Sequence, residues 1–107
     1  KEDDPDSLPI PVAEYLVTQM PEVQREAKIQ YPPKAKEMGI EGTVVLNVLI
    51  DTAGKVREAN VVEGLIDELD KEALRAIRKY EFAPAKIEEK PVAVRIRYAI
   101  RFVLENM

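Results

Sequence analysis

Residues 91–104 read PVAVRIRYAIRFVL. The even positions Val92, Val94, Ile96, Tyr98, Ile100, Phe102 and Leu104 are all apolar. The odd positions Ala93, Arg95, Arg97, Ala99, Arg101 and Val103 are small or basic in the main. Period-2 alternation over this length is the mark of a β-strand with one buried face. A strand this long near the end of the chain either lies inside a sheet or leaves a long edge open. Which of the two holds decides what such a chain can do.

Its partners are found upstream. Residues 43–51 carry an apolar face of Val44, Leu46, Val48 and Ile50, and a second face that is half apolar. A strand apolar on both faces is central or covered on its second side. Asp51-Thr52-Ala53-Gly54 then predicts a hairpin turn, with Asp at the first position and Gly where φ is positive. Residues 55–63 return as the partner strand. Val56 and Val61 fall on opposite parities there, which predicts a bulge near residues 58–60. Residues 67–80 repeat apolar side chains at helical spacing, with acids in the first turns and bases in the last, as the helix dipole favours. Asp67 is the expected N-cap, and Pro84 keeps the helix from continuing. A shorter helix, 32–38, opens on Pro32-Pro33 and ends at Gly39, which suits a left-handed cap. Gly42 follows at the start of a strand, where a missing Cβ permits close approach or a bulge. Residues 85–90 read as a loop. The expected fold is α+β: a small antiparallel sheet in the order 55–63, 43–51, 91–104, with helices 32–38 and 67–80 packed on one face.

The first thirty residues are less patterned. Residues 1–7 are acidic and polar and read as a solvated tail. Residues 8–12 alternate apolar residues with Pro9 and Pro11, which permits an edge strand or a polyproline-like stretch. Residues 14–20 and 22–30 suit either strand or helix. Of the formal net charge of −4 on 107 residues, all falls in residues 1–30, with seven acidic and three basic groups. The remainder is balanced, so the domain has no overall positive field for nucleic acid. With 46% apolar residues the chain has enough to build one core. The sequence starts at Lys1 rather than Met and reads as a fragment.

Chemistry is largely excluded by composition. There is no cysteine and no histidine, which removes disulfides, thiol nucleophiles, imidazole bases and Cys or His metal sites. Four glycines make no phosphate-cradling pattern, and no cofactor is implied. No stretch reaches the about 18–20 apolar residues of a membrane-spanning helix. Arg95, Arg97 and Arg101 share one strand face, but without interleaved aromatics for base stacking they read as stems covering a solvated sheet face. What remains is recognition through the backbone, since an unpaired strand edge accepts an extended peptide. Two other occupants could take the same edge: a second copy of the domain, or residues 8–18 folding back.

Tyr31-Pro32-x-x-Ala35, Gly39-Ile40-Glu41-Gly42-Thr43-Val44, Ile50-Asp51-x-x-Gly54-x-Val56, Val61, Leu69-Asp70-x-x-Ala73-Leu74, Phe82-x-Pro84-Ala85, Pro91-Val92 and Phe102 follow one another in this order. The ordered set, across residues 31–103, resembles the C-terminal periplasmic domain of the TonB energy transducer family. Departures fall in loops: Val62-Glu63-Gly64 where many members have Ser-Ser-Gly, and Glu88-Glu89-Lys90 where many have a glycine. Lys28-Ile29-Gln30 stands where well-known members are glutamine-rich.

The resemblance implies a non-enzymatic domain at residues 21–107, preceded by a tail or linker at 1–20. It implies a periplasmic location on a protein anchored in the bacterial inner membrane, and an inner-membrane proton-channel complex as the energy source. The implied partners are TonB-dependent outer-membrane transporters, whose short TonB box adds as a strand beside the last strand of the domain. The implied contact residues are Val92, Val94, Arg95, Ile96, Arg97, Tyr98, Ile100, Arg101 and Phe102 on that strand. Lys28, Gln30 and Tyr31, before the first helix, are implied as a second contact. The alternatives are a related TonB- or TolA-like domain appended to another envelope or sensor protein, a homodimer at the edge, and a nucleic-acid-binding α+β domain.

Overall fold

The computed structural model describes residues 7–104. The acidic stretch 1–6, expected to be a solvated tail, lies outside the described residues. A 3₁₀ turn at Glu14–Leu16 is followed by β1 (Glu22–Arg25), α1 (Pro33–Met38), β2 (Gly42–Ile50) and β3 (Val56–Glu63). Then come α2 (Asp67–Ile77), β4 (Glu81–Ala83), β5 (Ala85–Ile87), β6 (Lys90–Val92) and β7 (Val94–Phe102). The main sheet is antiparallel with the order β3-β2-β7, as the apolar pattern predicts. Two small antiparallel pairs, β1-β4 and β5-β6, are added to it.

The core lies between one face of that sheet and the helices. Val44, Leu46, Val48 and Ile50 of β2 and Val94, Ile96, Ile100 and Phe102 of β7 face Leu69, Ala73, Ala76 and Ile77 of α2, with Ala35 of α1. Each large aliphatic or aromatic side chain removed from water here contributes about 1.5–3 kcal/mol. α1 ends as its sequence predicts: Gly39 is left-handed (φ 67°, ψ 30°), and the Ile40 N–H reaches the Ala35 carbonyl at 3.0 Å.

Four local readings are corrected. The N-cap of α2 is Ile66, not Asp67, and it makes no side-chain bond. Asp70 instead reaches back from the first turn to accept from the Leu65 N–H at 2.8 Å. The predicted bulge is not at 58–60, which pairs regularly with β2; the register shifts place extra residues at Arg57 and Val62. The slip at Arg57 lets Val56 pack against the core alongside Ala59 and Val61 despite opposite parity. The expected loop 85–90 is the β5-β6 hairpin, turned by Glu88 and Glu89 at φ 47° and 72°. Its left-handed turn carries no glycine, so the usual hairpin signal is missing. Finally, the strand read as continuous over 91–104 divides at Ala93: residues 90–92 pair with β5, and only 94–102 join the main sheet.

Candidate partner-binding edge

β7 pairs with β2 along all nine of its residues, from Val94 opposite Ile50 to Phe102 opposite Gly42. Among the described residues no strand pairs with its other side. A strand bound on one side turns alternate N–H and C=O groups outward, where they can template a further strand. β2 is central and β3 closes the opposite side of the sheet, so the pattern of apolar faces in the sequence is what leaves β7 outermost.

The residues expected on this strand divide by face. Val94, Ile96, Ile100 and Phe102 are buried, so only their backbone is available to a partner. Tyr98 is half-buried, its ring edge-on to Tyr80 at 5.7 Å and to Phe82 at 5.8 Å. Burial, and then Glu26, raise its phenol above the ordinary value. Tyr80 is pushed up to about 12, first by burial and then by Tyr98 and Glu26. Both hydroxyls therefore stay neutral at physiological pH. Arg95, Arg97 and Arg101 are exposed on the other face. Arg95 pairs with Glu58 at 2.7 Å. Both stand directly opposite Leu49, which is fully buried, so the pair and its stems roof an apolar residue. The Arg95–Glu58 pair is half-exposed and is worth about 0–1 kcal/mol. Val92 lies outside this edge, in β6.

The segment before α1 is held to α2. Glu72 accepts from the Gln30 N–H at 2.7 Å and from Arg75, and Arg75 also donates to the Lys28 carbonyl at 2.9 Å. The Tyr31 hydroxyl donates to the Ile40 carbonyl, and its ring stands edge-on to Phe102 at 5.7 Å. Of the three residues expected here, Tyr31 thus touches the far end of β7. Lys28 and Gln30 are fastened to α2 through their backbone atoms.

The Arg75 hydrogen bonds hold the Glu72 carboxyl below its usual value of 4.5; burial opposes them, and the Gln30 N–H and the Arg75 and Lys79 charges add to the lowering. A depressed carboxyl stabilises the fold above its unfolded value, and this contribution is lost as pH falls through the folded one. The Gln30 amide resonance is therefore expected to titrate with a midpoint below 4.5, and Glu72→Gln to abolish the transition. A midpoint at or above 4.5 in a pH series of ¹H–¹⁵N spectra would contradict the assignment.

The N-terminal stretch contributes more than its sequence suggests. The Val12 N–H donates to the Ala93 carbonyl at 3.0 Å, beside the start of the edge. The Thr18 and Gln19 N–H groups donate to the Lys86 carbonyl at 2.8 and 3.1 Å, and the Lys86 N–H returns to Gln19 at 2.9 Å. The Thr18 hydroxyl donates to Lys86 and accepts from the Glu88 N–H at 2.8 Å. The fold-back of residues 8–18, one of the two other occupants that the edge could take, thus goes mainly to the β5-β6 hairpin. Among the described residues it makes no backbone hydrogen bond to 94–102.

Residues 27–104 match the family described as the Gram-negative bacterial TonB protein C-terminal. The chain belongs to this family. It is 35% identical over 85 residues to Protein TonB of Vibrio cholerae serotype O1, a match that spans 78% of this chain and 35% of that protein. It is 33% identical over 76 residues to Protein TonB of Xanthomonas campestris pv. campestris, strain B100, spanning 70% of this chain and 34% of that protein. The matched region is thus about a third of the length of these curated TonB relatives. The solution NMR structure of the Pseudomonas aeruginosa TonB CTD superposes with a TM-score of 0.64 at 26% identity, covering 81% of this chain and 89% of that one. The α+β architecture is therefore that of the TonB C-terminal domain. No helix among the described residues is long and apolar enough to cross a membrane.

Proposed function

We propose that this TonB C-terminal domain is a periplasmic force-transmitting module that takes up the TonB box of an outer-membrane active transporter by strand addition to β7. The observation that carries the reading is the one-sided pairing of a nine-residue strand. Main-chain bonds along such an edge supply affinity without any catalytic group. In this reading Arg95, Arg97 and Arg101 flank the added strand. Val94, Ile96, Tyr98, Ile100 and Phe102 offer backbone, and Val92 extends the surface at its start. Lys28, Gln30 and Tyr31 form a second contact near the Phe102 end. Residues 1–20 act as linker and 21–107 as the domain, joined through upstream sequence to an inner-membrane anchor and a proton-channel complex.

A synthetic TonB-box peptide from a transporter of the same genome is expected to shift the amide resonances of residues 94–102 above all others. Proline at a residue among 95–101 whose N–H points away from β2 is expected to weaken binding at least tenfold and leave the fold intact, because an edge strand tolerates proline. Shifts confined to the Arg-bearing face, with binding that collapses as salt rises, would indicate phosphate recognition instead. A doubled mass by light scattering that falls on addition of peptide would place a second copy on the edge in the free state.

A further inference from the structure

The hydrogen bonds that residues 7–19 make to the rest of the domain follow one path, which passes the start of β7 on its way to the β5-β6 hairpin. We propose that this segment is a releasable strap that competes with the incoming strand for the start of β7, an inference that rests on the strand-addition reading above. The decisive contact is the bond from the Val12 N–H to the Ala93 carbonyl, the residue immediately before β7. A strand extending past Val94 meets Val12 there and cannot continue until it leaves. The 3₁₀ turn Glu14–Leu16 then comes up against β7 itself, and Thr18 and Gln19 lock the strap to Lys86.

The strap is attached by polar clasps more than by packing. Ile10 and Tyr15 are 85% and 87% exposed, and only Val17 of the 3₁₀ region packs against the core. An apolar cleft of ≈ 650 Å³ remains between residues 7–12 and residues 91–93 with Thr52. Such a segment is held by a few hydrogen bonds, each of small net worth, and sits at the low-stability end of the molecule. The clasps are also arranged in series: Ser7 on Arg57, Val12 on Ala93, then Thr18 and Gln19 on Lys86. Tension applied from the N-terminal side loads them one after another rather than together, so the strap peels before the sheet is strained. Pulling would thereby lengthen the edge available to a bound segment.

Two variants of the full chain test this. Thr18→Val removes both hydroxyl bonds with little change of shape, and Val12→Pro removes the N–H that engages Ala93. In the parent protein the amides of Val12, Thr18 and Gln19 are expected to exchange at least about tenfold more slowly than free amides. The Thr18 and Gln19 amides in both variants, and the Val12 amide in Thr18→Val, are expected to lose protection while β2 and α2 keep theirs. The TonB-box peptide is then expected to bind about five- to tenfold more tightly, because the competent state no longer waits on strap release. Unprotected strap amides in the parent, or peptide affinity that is unchanged or weakened in both variants, would overturn the strap. Strap amides that behave as expected beside a peptide that binds no form of the chain would instead overturn strand addition, and competition with it.

Discussion

Replacing Gly54 with alanine is expected to remove at least about 3 kcal/mol of stability, a large share of the about 5–15 kcal/mol available to a domain of this size. Gly54 closes the β2-β3 turn at φ +83°, and a Cβ there would lie 1.7 Å from the Phe82 carbonyl oxygen and 2.8 Å from its carbon. Neither partner can yield cheaply. The Phe82 N–H donates to the Gly54 carbonyl at 2.9 Å, Lys55 bridges to Glu81, and the Phe82 ring is locked between Tyr80 and Tyr98. The turn is also fixed from its own side, because the Asp51 carboxylate accepts from the Ala53 and Lys55 N–H groups, both at 2.9 Å. The added methyl therefore separates the hairpin from β4 or distorts both.

Gly39→Ala is the matched control: φ is +67°, but a Cβ there meets nothing within 4 Å. That substitution carries only the left-handed backbone cost of about 1–2 kcal/mol. Urea unfolding of both variants separates the two contributions. Equal losses would mean that β4 does not press on the turn. A loss of about 3 kcal/mol corresponds to a fall in Tm of at least about 12 °C for a domain of about 100 residues.

The turn and its neighbours show what could be read in advance. The period-2 faces of residues 43–51 and 91–104 and the amphipathic stripe of 67–80 are signals written in large side chains. They gave the strand order and the helix-covered face directly. The open edge followed from the same pattern, because a central 43–51 strand paired with 55–63 on one side leaves 91–104 outermost on the other. What sequence left unread is held by backbone atoms and small polar groups. β1 and β4 are three or four residues long and pair across almost sixty positions of sequence, so neither has a period to detect. The β5-β6 turn uses two glutamates where glycine would have advertised it. The clasp of Thr18 on Lys86 and Glu88 is one hydroxyl meeting two backbone groups, and nothing in the composition of residues 14–20 marks it. Ala93, where the long strand divides, keeps a small side chain in a run of alternating residues; the break there depends on which backbone pairs with β5 and which with β2.

Phe102→Ala is expected to cost about 3–5 kcal/mol, the range for emptying a large aromatic from a close-packed core, and to act unevenly along β7. Phe102 is 2% exposed and among the largest fully buried side chains. It pairs with Gly42 at the last rung of the β2-β7 ladder and supports Tyr31 edge-on. The chain just beyond is tied by the Leu104 N–H to the Glu41 carboxylate at 2.6 Å. Glu41 adjoins Ile40, whose carbonyl accepts the Tyr31 hydroxyl. One aromatic pair thus joins the end of the open edge to the segment leading into α1. Loss of the ring is expected to raise amide exchange at residues 100–102 and at Gln30 and Tyr31 together, while the Val94 end of the strand keeps its protection. Tyr31→Phe provides the comparison, since it keeps the ring contact and removes only the hydroxyl bond, at about 0.5–1.5 kcal/mol. If Phe102→Ala loosens the strand end but leaves Gln30 and Tyr31 protected, the two candidate contact regions are mechanically separate. If both loosen together, a pull arriving through residues 28–31 is delivered to the strand end through this ring pair.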